Sequence, residues 1–147
     1  EMQLTLLKSG THPDYRGDNG VHAFSYALLP HAGFSAVNVV RPAYEFNTQP
    51  VAACARSMPL AQLCFVDNPG IVVETVKPAE NGKAVIFRLY EAEGGGGDCT
   101  VTFTAQPKAA SAVTMLEEHI TPLCCDNRKL ALFFRPFEIK TIAVDFS

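Results

Sequence analysis

The sequence predicts an all-β fold, an antiparallel β-sandwich, and two observations support this prediction. Apolar and polar residues alternate with a period of two in short segments, as they do along half-buried strands. Turn-forming Gly, Pro, Asn and Asp residues separate these segments at the short spacing typical of a sandwich. The 147 residues suffice to bury a core without disulfides, whereas a (β/α)8 barrel needs about 250 residues.

The predicted strands fall into two groups according to the sequence pattern that predicts them. Alternation is clearest in His22–Leu29, Cys99–Ala105 and Thr141–Phe146. A second group is rich in β-branched and aromatic residues, which favour strands; it comprises Met2–Leu7, Leu60–Val66, Ile71–Val76, Ala84–Tyr90 and Leu130–Phe134.

Turn signals, one candidate helix and one predicted connector complete the assignment. Asp67–Gly70 predicts a turn, and Asn81-Gly82 predicts a hairpin between its two flanking strands. The glycine run Gly94–Gly97 predicts a mobile loop tip. Ala109–Ile120 is the best helical candidate, and residues 41–59, with three prolines, predict an extended connector.

A change in composition near Asp67 predicts a division into residues 1–66 and 67–147. The second part has the strand spacing of a small β-sandwich. The first part has too few strands to close a sheet, so we expect it to complete a sheet formed elsewhere. Because residue 1 is Glu rather than Met, we also expect a fragment or a processed chain.

Charge and cysteine content exclude several classes of protein. The net charge of −3 and the scattered basic residues argue against a nucleic-acid partner, and no apolar run is long enough to predict a membrane span. The five cysteines are odd in number and irregularly spaced, unlike a disulfide framework or a zinc motif; they are Cys54, Cys64, Cys99, Cys124 and Cys125. We expect reduced thiols in a cytoplasmic protein, the alternative being a redox or metal role for Cys124 or Cys125.

One cluster of polar residues could carry chemistry, and it comprises His12, Asp14, Asp18, His22, Tyr26 and His31. Histidines and carboxylates this close in sequence could form a metal or acid–base site. If 22–29 is a strand, His22 and Tyr26 lie on the same face. The alternative is an ordinary turn, since Asp and Asn bind their own backbone.

The remaining charged residues favour structural roles. Arg88 and Glu91 could form an ion pair, which contributes little when exposed. We expect a same-face ion pair between Glu138 and Lys140. The adjacent Glu117 and Glu118 are expected at a helix end, in solvent. The sequence contains no phosphate-binding loop, nucleophile elbow or HExxH motif.

Several segments resemble the C-terminal part of glycoside hydrolase family 38 α-mannosidases, in the branch with bacterial and cytosolic members. They occur in the family's order, and they are Asp18–His31 (D-x-G-x-H-x-F-x-Y-x-L-x-P-H), Val73–Gly82 (ETxKxAExG), Phe87–Ala92 (RLYE), Met115–Glu117 (NLLE) and Arg135–Thr141 (PFEIKT). The sequence departs from the family at Ala23, where the branch often has Glu, and at Thr114-Met115, where Asn-Leu is usual.

The resemblance implies a retaining enzyme that hydrolyses terminal α-mannosides with an Asp nucleophile and a zinc ion. No segment matches the family's nucleophile or zinc ligands, so we expect no catalytic residue and no metal ligand in this chain. Residues 1–66 would be the end of a larger β supersandwich and 67–147 the terminal sandwich. Asp18, His22 and Tyr26 are the substrate-proximal candidates.

The resemblance therefore predicts a catalytically silent domain that packs on the catalytic part of the same polypeptide and shapes the substrate cleft. The zinc ligands would lie outside the chain, and homo-oligomerisation remains open. Two other hypotheses stand beside it: an independent carbohydrate-binding module, although the chain lacks Trp, and a pure scaffold domain. The low charged fraction of 18% suits a domain with a docking face.

Overall fold

A computed structural model describes residues 3–50 and 62–147. The chain forms two compact units, Glu1–Pro30 and His31–Ser147. In the first unit, residues 3–30 form neither helix nor strand, and nearly all of them are exposed. The predicted strand at 22–29 is therefore absent. Of the strand predicted at Met2–Leu7, the structure describes residues 3–7, and these form no strand either. A strand needs a hydrogen-bonded neighbour, and these segments pair with no described strand.

The second unit begins with a short helical region. A π-helical turn, Ala36–Val40, leads into helix α1, Arg41–Asn47. The Ser35 hydroxyl caps the turn by accepting a hydrogen bond from the Asn38 N–H at 3.0 Å, and the buried Ala36 N–H donates to Glu93 Oε1 at 2.7 Å. The prediction of an extended connector is thus wrong for 41–47, because a proline in the first helical turn gives up no helical hydrogen bond. Residues 51–59 of that connector lie outside the described residues.

Eight strands follow in the described chain, all paired antiparallel: β1 Cys64–Val66, β2 Ile71–Pro78, β3 Val85–Glu91, β4 Gly97–Phe103, β5 Ala109–Val113, β6 His119–Leu123, β7 Lys129–Phe134 and β8 Ile139–Asp145. They form a three-stranded sheet in the order β1-β4-β7 and a five-stranded sheet in the order β2-β3-β8-β5-β6. The predicted all-β antiparallel sandwich is confirmed.

The core lies between the two sheets and is built by the alternation seen in the sequence. Phe87 on β3 meets Phe103 on β4 edge to face, with ring centroids 5.3 Å apart. Phe146 closes the triangle at 5.8 Å from Phe103 and 6.4 Å from Phe87. Phe87 and Phe103 are fully buried, and edge-to-face aromatic pairs contribute about 0.5–1.5 kcal/mol beyond their buried area.

Two predicted turns are confirmed. In the β2–β3 hairpin the Gly82 N–H donates to the Ala79 carbonyl at 2.8 Å, and the Ala79 N–H donates to the Ala84 carbonyl at 2.8 Å. Gly82 has a φ of +70°, which glycine adopts without strain. At the β1–β2 turn the Ile71 N–H donates to the Asn68 carbonyl at 3.1 Å.

The predicted helix at Ala109–Ile120 is wrong, because β5 and β6 occupy this region, joined by the 114–118 turn. β5 pairs with β8 on one side and β6 on the other, so sheet pairing overrides the helical preference of its alanines. The division at residue 67 stays a prediction, and β1 precedes it while pairing with β4.

Candidate functional site

The predicted site residues Asp18, His22 and Tyr26 all lie in the Glu1–Pro30 unit and are exposed to solvent. The His22 imidazole donates from Nε2 to the Asp18 main-chain carbonyl at 2.6 Å. The Asp18 N–H donates to the Ser9 hydroxyl at 2.8 Å. Because 22–29 is not a strand, the shared face that would align His22 with Tyr26 is not formed. The substrate-proximal role of the three residues stays a prediction.

The neighbouring residues have the contacts of a turn. The Asp14 carboxylate accepts a hydrogen bond from the Arg16 N–H at 2.9 Å, and the Asp14 carbonyl accepts one from the Gly17 N–H at 3.1 Å. These are the local backbone contacts that Asp makes in turns. His31 belongs to the other unit, where its Nδ1 donates to the Gly33 carbonyl at 2.8 Å.

Within residues 3–50 and 62–147, no group of three or more His, Cys, Asp or Glu side chains could hold a metal ion. The described cysteines are free thiols, and Cys54 lies outside the described residues. Burial raises the pKa of the Cys64, Cys99 and Cys125 thiols, which lowers their reactivity. The expected zinc site elsewhere in a longer polypeptide stays a prediction.

A groove of 590 Å³ lies between α1 and the edge strands β1 and β2. Two partly exposed aromatic residues line it, Tyr44 at 40% and Phe65 at 52% exposure. Charged side chains share the lining, namely Arg41, Glu45 and Glu74. Aromatic faces pack against apolar ligand surfaces, while the charged groups can bind hydroxyls.

Tyr90 supports the helical side of this groove. Burial is the main cause and a hydrogen bond with Tyr44 the second cause that raise the pKa of Tyr90 to about 12. The phenol therefore stays protonated at physiological pH. Sequence reasoning missed the groove because it placed Tyr44 in an extended connector, and no pattern indicated that α1 lies beside the sheet edges.

Glu91 at the end of β3 is a second structural centre. Its carboxylate is 3% exposed and accepts hydrogen bonds from four main-chain N–H groups: Glu93 at 3.0 Å, Gly94 at 2.8 Å, Gly95 at 3.3 Å and Phe137 at 2.9 Å. Burial raises the pKa of this carboxyl, but the four donors outweigh burial and hold the pKa below its ordinary value. The predicted Arg88–Glu91 ion pair is wrong. Arg88 instead donates to the Thr141 hydroxyl at 3.3 Å and the Met115 carbonyl at 3.4 Å.

The other predicted carboxylate roles have mixed outcomes. Glu138 pairs with Lys140 at 3.2 Å, as predicted. Glu117 does not lie at a helix end but in the 114–118 turn, with its carboxylate on the Lys77 ammonium and the Glu80 N–H. The contact with the Lys77 ammonium is the main cause that holds the pKa of Glu117 below its ordinary value, and the hydrogen bond from the Glu80 N–H is the second.

Comparison with known proteins decides what kind of sandwich this is. The sequence model of the "Glycosyl hydrolases family 38 C-terminal beta sandwich domain" matches residues 70–142. The sandwich belongs to glycosyl hydrolase family 38. The resemblance seen in the sequence is therefore confirmed, and the family 38 match extends from the start of β2 into β8.

Curated relatives of the family 38 sandwich align over nearly the whole chain. Alpha-mannosidase 2C1 of Homo sapiens is 34% identical over 96% of this chain, and alpha-mannosidase G of Dictyostelium discoideum is 28% identical over 94%. An alpha-mannosidase of Saccharomyces cerevisiae is 25% identical over 99%. The chain spans 14–16% of the length of these relatives. No helix among the described residues is long and apolar enough to cross a membrane.

Proposed function

We propose that the chain is the non-catalytic C-terminal part of a family 38 α-mannosidase, a retaining glycosidase acting on terminal α-mannosides. The family match over residues 70–142 carries the proposal. Relatives named alpha-mannosidase, which align over 94–99% of the chain, support it. Its role is to pack on the catalytic part of the polypeptide and to shape the substrate cleft.

Cofactor and location belong to the same proposal. Zinc binds in the catalytic part, with ligands outside residues 1–147. The enzyme works in the cytoplasm, and the free described thiols are compatible with a reducing compartment.

The direct test compares the natural polypeptide, expressed from its complete reading frame, with the 147-residue chain alone. Both are assayed on a chromogenic α-mannoside with zinc and with a chelator. We expect chelator-sensitive turnover from the complete polypeptide and none from the chain. Turnover by the chain alone would contradict its silence, and an inactive, folded and zinc-loaded complete polypeptide would contradict the parent activity.

The substrate-proximal candidates need a separate test in the complete polypeptide. His22→Ala should lower kcat/KM on an α-mannoside while the melting temperature stays unchanged. His119→Ala removes another exposed histidine, from β6, and serves as the control. Equal effects of the two substitutions on kcat/KM would remove His22 from the proposed cleft.

The groove beside α1 favours a second candidate function, carbohydrate binding by the chain itself. Its aromatic and charged lining is of the kind that binds sugar rings and hydroxyls. Titration with mannose oligosaccharides by calorimetry should then show saturable binding that Phe65→Ala abolishes. Phe133→Ala is the matched control, because Phe133 is also an exposed aromatic, at 60%, but does not line the groove. Absence of binding at millimolar sugar would rule out this function.

A further inference from the structure

The turn between β7 and β8 has a residue at its third position that the backbone geometry disfavours. In this turn, Arg135–Glu138, the Glu138 N–H donates to the Arg135 carbonyl at 3.1 Å. Pro136 occupies the second position, and Phe137 at the third has a φ of +57°. A type II turn requires positive φ there and normally uses Gly or Asn. A bulky residue in this conformation is a strained outlier.

Three sets of contacts hold Phe137 in this strained conformation. Its N–H donates to the buried Glu91 carboxylate at 2.9 Å, and the Glu91 N–H donates to the Glu138 carbonyl at 3.0 Å. The Glu138 carboxylate binds the Arg135 N–H at 2.9 Å and the Arg135 guanidinium at 3.0 and 3.2 Å. Residues in sparsely populated conformations persist where their surroundings fix them, and they cluster at functional sites.

The glycine run Gly94–Gly97 packs against this turn through Gly94 and Gly96, so it is not a free loop tip. A Cβ on Gly94 would lie 2.5 Å from Cζ of Phe137, so the ring approaches the glycine backbone closely. A Cβ on Gly96 would lie 2.7 Å from the Phe134 carbonyl oxygen. The N–H groups of Gly94 and Gly95 are bound by Glu91. The loop is therefore shaped to support an aromatic ring.

This support does not bury the ring. Phe137 is 69% exposed, and two further large apolar residues in the same segment are also exposed, Phe133 at 60% and Ile139 at 55%. The local charges already neutralise one another, because Glu138 pairs with both Arg135 and Lys140. Exposed aromatics with few unpaired charges are typical of the centre of a protein interface.

We propose that the Arg135–Glu138 turn is a docking anchor that inserts Phe137 into an apolar pocket on the catalytic portion of a family 38 α-mannosidase. This rests on the proposed function. The catalytic portion is the proposed partner because of the length of the relatives. The chain spans only 14–16% of that length, so a large remainder is left for the sandwich to contact. A rigid ring loses little conformational entropy on docking, since its backbone is already fixed.

The test uses Phe137→Asn, because Asn tolerates positive φ and the substitution removes the ring without a backbone conflict. It is introduced into the complete natural polypeptide and into the 147-residue chain. We expect the chain alone to keep its melting temperature or to gain a little. In the complete polypeptide, the melting transition of the sandwich should fall, and amide exchange of residues 133–139 should rise to that of the lone chain. Leu116→Ala is the control, since Leu116 is 82% exposed in the 114–118 turn, whose Glu117 contacts Lys77 and Glu80. It should leave both samples unchanged.

The exchange measurement also gives the magnitude. In the complete polypeptide, Phe137→Asn should raise the amide exchange rates of residues 133–139 about 30-fold, the size expected when a central aromatic anchor is removed. Equal exchange of 133–139 in the chain and the complete polypeptide would overturn the proposal. So would a concentration-dependent dimer of the lone chain that Phe137→Asn dissolves, because the anchor would then serve a second copy.

The two proposals fail separately in this design. Chelator-sensitive turnover with unprotected residues 133–139 retains the enzyme and refutes the anchor. Protected residues 133–139 in a zinc-loaded polypeptide without turnover support the docking surface and refute the proposed activity.

Discussion

The buried Glu91 carboxylate permits a prediction whose size follows from the contacts. Oε1 accepts from the Glu93 and Gly95 N–H groups, and Oε2 accepts from the Gly94 and Phe137 N–H groups. Glu91→Gln keeps one oxygen and replaces the other with an NH2 group, which faces two N–H donors and cannot accept from them. Hydrogen bonds to a charged group contribute about 1.5–3 kcal/mol each. Losing two of them should therefore lower the free energy of unfolding by about 3–6 kcal/mol.

The assay is urea denaturation of the 147-residue chain, followed by circular dichroism. We expect a lower midpoint with an unchanged m-value, since the buried surface is the same. Glu118→Gln makes the same chemical change at an exposed site and should alter stability by no more than about 0.5 kcal/mol.

The pH dependence of the Glu91→Gln effect follows from the sign of the pKa shift. The pKa of Glu91 is lower in the folded chain than its ordinary value of 4.5. Such a carboxyl stabilises the fold above the unfolded-state pKa and loses this contribution as the pH falls through the folded-state pKa. The difference between wild type and Glu91→Gln should thus be constant from neutral pH to about 4.5 and shrink below it. Equal destabilisation by both Gln variants, or a difference that grows in acid, would refute the reasoning.

Three other outcomes are expected from the same chain. Gly96→Ala should lower the melting temperature more than Gly82→Ala, because both glycines have positive φ but only the Cβ at Gly96 meets a main-chain oxygen; equal shifts would contradict this. Phe87→Ala empties a fully buried site and should lower the free energy of unfolding, measured by urea denaturation, by about 3–5 kcal/mol. A loss below about 1 kcal/mol would contradict the core described. In an ultraviolet titration one tyrosine should ionise near pH 12 and vanish from the curve in Tyr90→Phe. Because that pKa is raised above its ordinary value of 10.0, the contribution of Tyr90 to stability is full below pH 10 and is lost as the pH rises through 12.

Most of the sandwich could be predicted from the sequence because its strands bury one face. The alternation of Cys99–Ala105 corresponds to β4, whose buried residues Cys99, Val101 and Phe103 point into the core. The Asn81-Gly82 signal located the hairpin because only a few residue types adopt its backbone. β5 and β6 were missed since alanines and exposed β6 residues give no alternation. The 22–29 alternation has no paired partner among the described strands, and a pattern alone cannot supply one.

Less of the candidate site could be predicted. The groove depends on α1 lying beside β1 and β2, a tertiary relation that local patterns do not encode. The spacing of Arg88 and Glu91 suggests an ion pair, but the partners of Glu91 are main-chain N–H groups, which have no sequence signature. Glu138 with Lys140 was predicted correctly because their contact follows from spacing alone.

The position of β8 has a consequence for the order of folding. The five-stranded sheet has β8 at its centre, between β3 and β5, although β8 is the last of the eight described strands. Until Asp145 has left the ribosome, the β2–β3 and β5–β6 hairpins can form, but the strand that pairs with both of them is missing. An isolated hairpin is marginally stable in water, so each exposes an unpaired edge and an apolar face during synthesis. The sandwich must therefore close after translation of its final strand, and chains truncated within β8 should be recognised by chaperones or aggregate.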